Sequence, residues 1–347
     1  MISARKNKCH EVANGLVVAI SRLEVGNFCE TIHPGPQFLS RPTCLNRNGG
    51  WPETLHSTLA VRLTSHSVYG CVNSSVLGRE LSLVNNVSPA LTHYIGIDYS
   101  GAATPTSSLK GLRIYEADHV TISQEVEPPS SPRKYWTRRG IAEWLVARLS
   151  VGPPTLVGID HGFSFPLPYF KRHGLPLDWP LFLDDFQRHW PTDEDHTYVD
   201  FVRDGSYGNA AARSGDSHWR RITELRVRSA KSVFQFDVQG SVAKSTHAGL
   251  PWLRYLRQHV GCRVHFWPFD GWNVLGNSSV IAEVYPSLWS RTFPSAGRTS
   301  DQHDAFATAE WLRRADTDGT LIRLLCPELE SPERKAAEVE GWILGVA

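Results

Sequence analysis

The stretch His93-Tyr94-Ile95-Gly96-Ile97-Asp98-Tyr99-Ser100-Gly101-Ala102 decides the fold. Apart from Gly96, Tyr94 to Ile97 are β-branched or aromatic, as suits a strand buried in the middle of a sheet. The strand delivers one carboxylate, Asp98, just before a Ser-Gly turn. A buried acid is unfavourable unless it is paired or bound to a cation. The tripeptide returns much later, where Gly158-Ile159-Asp160 closes the run Thr155-Leu156-Val157. Two apolar strands that each end in Gly-Ile-Asp predict two carboxylates side by side at one sheet edge.

Working outward from the first strand, Leu112 to Tyr115 and Val120 to Ser123 alternate apolar and polar residues and predict two half-buried antiparallel strands. Ile141, Trp144, Leu145 and Leu149 recur at helical spacing. Thr155 to Asp160 reads as a parallel strand covered on both faces. Phe163 to about Lys231 is too long for a simple connection and is expected to be an insertion. It holds an acidic stretch (Asp184, Asp185, Asp193, Glu194, Asp195) and then a basic aromatic one (Arg213, His218, Trp219, Arg220, Arg221, Arg226, Arg228, Lys231). Ser232 to Phe236 is a further candidate strand, followed by a glycine-containing segment, Gly240 to Gly249, that includes Lys244. Pro251 suits the first position of a helix with Leu253, Leu256 and Val260 on one face. Val280 to Tyr285 is the last strand, stopped by Pro286, and a helix beginning near Asp301 buries Ala305, Phe306, Ala309 and Leu312.

Before this domain the texture differs. Residues 1–89 contain no Asp and lack sustained periodicity, and no lysine follows Lys8 until Lys110. Residues 1–90 are therefore expected to be a poorly ordered extension, or upstream sequence translated from a wrongly chosen start, with the true start near Val87. The domain proper is 91–347. Over its 347 residues the chain has a formal net charge of +1, which gives no global field for nucleic acid or membrane. Its six cysteines form no Cys-x-x-Cys pair, and no signal peptide or membrane-length apolar run is visible. A cytoplasmic protein with no membrane partner is expected.

Asp301 and Asp304 stand three apart and share a helix face. If that helix packs beside the first strand, its acids face Asp98 and Asp160. Four converging carboxylates need a counter-charge, and hard oxygen ligands favour Mg²⁺ or Mn²⁺. Each acid also has a structural reading: Asp301 and Asp304 as helix caps, Asp98 and Asp160 as turn formers. Glu283, inside an apolar strand, is a candidate ligand, and its structural reading requires a buried Arg partner. His303 reads as a surface or supporting histidine. The basic aromatic stretch could follow a phosphate backbone with Trp219 stacked on a base, or be a solvated helix face. The Lys244 segment lacks the Gly-Lys-Ser/Thr ending of a phosphate loop.

The order strand-strand-strand-helix-strand-helix-strand-helix, with acids on the first strand, fourth strand and last helix, resembles the ribonuclease H-like fold. Asp301-Gln302-His303-Asp304-Ala305 resembles the Asp-x-x-Asp-Ala of Holliday-junction resolvases, which carry Glu where this chain has Asp160. The chain is more similar to a family of predicted nucleases with that fold, the domain of unknown function DUF429. The resemblance lies in Gly96 to Gly101, Trp219-Arg220-Arg221 with Glu224, Ser232-Val233-Phe234, Gly249 to Leu253, Glu283-Val284-Tyr285-Pro286 and Asp304-Ala305, and spans about Tyr94 to Arg314. It implies an α/β domain with a five-stranded mixed sheet, three strands antiparallel, flanked by helices, with the insertion after the fourth strand. It further implies a metal-dependent nuclease acting on nucleic acid. Asp98 would bridge two Mg²⁺ or Mn²⁺ ions, and Asp160 and Asp304 would each hold one. Asp301 would bind or position the second, Glu283 would ligate or tune, and Ser100, Arg220 and Lys244 would contact substrate. The alternatives are a phosphotransferase of the sugar-kinase and actin type and a non-catalytic nucleic-acid-binding module.

Overall fold

The computed structural model describes residues 91–274 and 276–347. The expectations for residues 1–90 lie outside the described residues. Tyr94 to Tyr99 alternate between the two faces of strand β1 (His93–Tyr99), and both faces are covered. Antiparallel neighbours follow in β2 (Leu112–Asp118) and the two-residue β3 (Gln124–Glu125). Helix α1 (Arg138–Val151) starts where the Thr137 hydroxyl accepts the Gly140 N–H, and it buries Ile141, Leu145 and Leu149. It returns the chain to β4 (Thr155–Asp160), parallel to β1.

The following stretch is helical: α2 (Leu167–His173), α3 (Trp179–His189), α4 (Val199–Arg203), α5 (Ile222–Arg226), then the long α6 (Ala243–Val260). Strands β5 (Val264–Trp267) and β6 (Ser279–Glu283) complete the sheet. Helices α7 (Ser300–Thr317), α8 (Leu321–Leu324) and α9 (Ser331–Glu340) end the domain. The sheet order is β3-β2-β1-β4-β6-β5, mixed and six-stranded. Among the described residues no helix is long and apolar enough to cross a membrane.

The two faces of the sheet have separate cores. Ile95, Ile97, Val157, Ile159 and Ile281 pack with α1 and α6, whereas Tyr94, Leu156, Val280 and Ala282 pack with α7. Burying Ile97 and Ile159 is worth about 1.5–3 kcal/mol each. A one-residue slip would exchange them for carboxylates, so the register is firmly held.

Four sequence expectations change. The sheet has six strands, not five, because Val264–Trp267 pairs along the outer side of β6. Val120 to Ser123 is a bend, with Val120 and Ile122 exposed to water, and only Gln124–Glu125 pairs with β2. Ser232 to Phe236 is a turn. Helix α6 begins at Ala243, leaving Pro251 inside it. Proline has no N–H for the carbonyl four residues back. That carbonyl, of His247, instead accepts the Thr192 hydroxyl at 2.7 Å, so the helix continues without an unsatisfied group.

Candidate active site

The repeated tripeptide sets the geometry. Gly96 and Gly158 are register partners in β1 and β4, and so are Asp98 and Asp160. Adjacent strands lie about 4.8 Å apart, and alternation puts all four residues on the face that α7 covers. The glycines are required by that helix. A Cβ on Gly96 would overlap the Ala305 carbonyl and come within 2.6 Å of the Ala309 nitrogen. One on Gly158 would lie 2.7 Å from Val284 Cγ1 and 2.9 Å from Thr308 Cγ2. Farther along, the Tyr94 hydroxyl donates to Asp316 Oδ2 at 2.7 Å. With Asp316 at Tyr94 and Ala305 at Gly96, α7 runs antiparallel to β1. Its first two turns, bearing Asp301 and Asp304, therefore lie toward Asp98.

Electrostatics report the same convergence. Asp98 is buried, and desolvation, with Asp301 and Asp304 adding repulsion, pushes its carboxyl up to about 8. The Ser100 backbone N–H, at 2.9 Å from Oδ1, opposes the shift. Asp160 is raised well above the usual range by burial, then by Asp98, Asp304 and Glu283. Asp304 is raised by burial, with Asp301 adding repulsion. The helix cap is supplied by Thr299 and Gln302, so neither acid on α7 serves as the N-cap. His303 gives its Nε2–H to the Ser290 carbonyl at 2.9 Å, which leaves a buried Nδ1 lone pair with no partner. Asp98, Asp160, Asp301 and Asp304 are thus brought to one edge. Among the described residues, however, no group of three or more His, Cys, Asp or Glu side chains is gathered closely enough to hold a metal ion.

Glu283 is a correction. It is the register partner of Ile159 and so lies on the opposite face from Asp160. There Arg221 donates to both carboxylate oxygens, at 2.6 and 2.7 Å, and the Phe163 N–H adds a third bond. This is the buried Arg partner that the structural reading of Glu283 demands, and it removes Glu283 from the ligand set. Arg221 also binds Glu224, while Glu340 accepts the first N–H groups of α2 and α5.

Arg220 and Lys244, the other expected substrate contacts with Ser100, already have protein partners. Arg220 donates to the carbonyls of Glu224, Val227 and Ala230, closing its own loop. Lys244 pairs with Asp200 at 2.6 Å. Ser100, exposed beside Asp98, remains at the site. Within the basic aromatic stretch Arg213 and Arg226 are also paired, with Asp185 and Glu333. The sequence reading missed Arg138, a fully buried cation that donates to the carbonyls of Gly101 and Ala103 and so shapes the loop after Asp98. Compared with known proteins, the chain matches no family model, no curated protein and no solved structure.

Proposed function

We propose that this domain is a divalent-metal-dependent nuclease on a ribonuclease H-like sheet, as the resemblance to DUF429 implies, with β5 as an added edge strand. The observation that carries the reading is the register pair Asp98 and Asp160. These two carboxylates have no cationic partner among the described residues and lie on the face covered by the acid-bearing end of α7. The all-oxygen donor set suits Mg²⁺ or Mn²⁺. Asp98 and Asp160 would hold the ion with Asp304, and Asp301 would assist from one turn earlier. Two such ions in a site activate a water and stabilise the leaving oxygen of a phosphodiester. The chain's own part is to fix Asp98 through the Ser100 N–H, to crowd the acids until a cation is favourable, and to present an exposed Ser100 edge to substrate.

The absence of three gathered donors among the described residues favours a second reading, a non-catalytic nucleic-acid-binding module. Cleavage of labelled single- and double-stranded oligonucleotides with Mn²⁺ separates the two. Wild type should cut, and Asp98→Asn, folded by circular dichroism, should fall to background. Equal activity in the variant would remove the mechanism.

A further inference from the structure

A cation stands directly across the sheet from Asp98, and it is turned elsewhere. The register partner of Asp98 on β2 is Arg113. Directly opposed residues of an antiparallel pair point to the same face, with Cβ atoms about 4.5–5.5 Å apart, and opposite charges placed this way attract. The neighbouring pair identifies the face. Tyr115 opposes Gly96, and its ring packs edge to face on Phe306 of α7. Arg113, two residues before Tyr115, therefore projects from the face that carries Asp98. Among the described residues, however, its ion pair is with Glu125.

Three contacts hold the guanidinium. Nη1 donates to Glu125 Oε1 at 2.9 Å, the Nε–H donates to the Lys110 carbonyl at 2.9 Å, and the group lies over the Tyr135 ring, 4.9 Å from its centroid. Glu125 is the only acid of the three. It stands on β3, the outer neighbour of β2, so its grip draws the charge toward the sheet edge and away from β1. Glu125 is itself fixed. Its other oxygen accepts the Gln302 side-chain N–H at 2.8 Å and the Tyr115 hydroxyl at 3.3 Å. Gln302 sits on α7 between Asp301 and Asp304, and its own oxygen accepts the Thr299 N–H of the helix cap. The side chains are 12 % exposed for Arg113 and 21 % for Glu125, so water and salt screen the pair only in part. We infer that Glu125 is a positioning residue for the carboxylate site: it draws Arg113 off Asp98 and leaves that carboxylate open to a metal ion. The benefit to a metal ion rests on the nuclease reading, whereas the choice of Arg113 between two carboxylates does not. Once the Glu125 charge is removed, Asp98 is the acid directly across from Arg113. A guanidinium there would neutralise the carboxylate and repel an incoming divalent cation.

The test is a set of variants of the full chain. Glu125→Gln removes the charge and keeps the shape, so the amide contact to Gln302 can persist. In EDTA at pH 8.5, Asp98→Asn is introduced into wild type, into Glu125→Gln and into Glu125→Gln/Arg113→Met. It should raise the melting point in the first and third backgrounds. In the second it should give no rise, because there it breaks the new Arg113 pair. A rise in the second background equal to that in the first, or no rise in the first, overturns the inference. Calorimetric titration with Mn²⁺ gives an independent readout. Glu125→Gln should weaken binding at least about tenfold, and adding Arg113→Met should restore it. Weakening that Arg113→Met leaves in place marks Glu125 as a structural tie alone, which also overturns the inference. If no protein takes up Mn²⁺ while the melting points follow the expected pattern, the exchange of partners stands and the nuclease reading falls. If wild type and Glu125→Gln bind Mn²⁺ and cleave equally well, the reverse holds.

Discussion

Asp98 shows what one residue's surroundings decide. With burial raising its carboxyl to about 8 and no cation beside it, the group increasingly destabilises the metal-free fold as pH rises from about 4 to 8. Asp98→Asn should therefore stabilise the metal-free protein at pH 8.5 by ~1 kcal/mol or more, seen as a raised melting point, while cleavage is lost. A lowered melting point would show that the carboxylate has a stabilising partner. Glu283, in contrast, has a cationic partner, since Arg221 bonds both of its oxygens. Arg221→Met should destabilise by about 3–5 kcal/mol, since it strands Glu283 and Glu224 without their cation, as urea unfolding would measure. Asp98 and Asp160 were legible because each ends an apolar strand beside a turn. The fate of Glu283 was not, because its partner lies 62 residues away and the face it occupies depends on strand register.

At the scale of elements, the docking of α7 on β1 and β4 places the acids, and the glycines permit that docking. Gly96→Ala would drive a methyl group into the backbone at Ala305 and Ala309. Overpacking of this kind typically costs about 1–3 kcal/mol, and here it would also move Asp301 and Asp304 away from Asp98. Gly96→Ala should thus lose both stability and Mn²⁺ affinity, whereas Val120→Ala, at an exposed bend, should change neither. Melting curves and metal titration of the two variants check this. Helix α7 was readable from Ala305, Phe306, Ala309 and Leu312, which share its buried side. The start of α6 was misplaced because a proline suggests a beginning, and the Thr192 hydroxyl that lets the helix run through is distant in sequence. Strand β5 is only four residues long and includes His265, so it carried too little pattern to be seen. Val120 to Ser123 alternated like a strand, yet it has no partner along its length to make alternation matter.

For the whole molecule, the buried groups give a pH signature with a definite sign. Asp98, Asp160, Asp304, Glu224 and Glu340 are all raised, chiefly by burial. The native state therefore keeps protons that the unfolded chain releases near pH 4, and stability falls as pH rises toward 8. His161 and His247, lowered to about 4 and about 3 by burial, act the other way, but only below about pH 6.5. Between pH 6.5 and 8 Asp98 keeps a proton that the unfolded chain has released, so the metal-free melting point should fall across that window. The fall should be shallower in Asp98→Asn, and a rising or flat wild-type profile would contradict the crowding. The most direct test is a Mn²⁺ titration of the folded protein at pH 7.5 by calorimetry in buffers of different ionisation enthalpy. Saturable binding that releases about one proton, and disappears in both Asp98→Asn and Asp160→Asn, is the predicted result. A wild-type protein that takes up no Mn²⁺, or an Asp98→Asn protein that binds it equally well, would contradict the account.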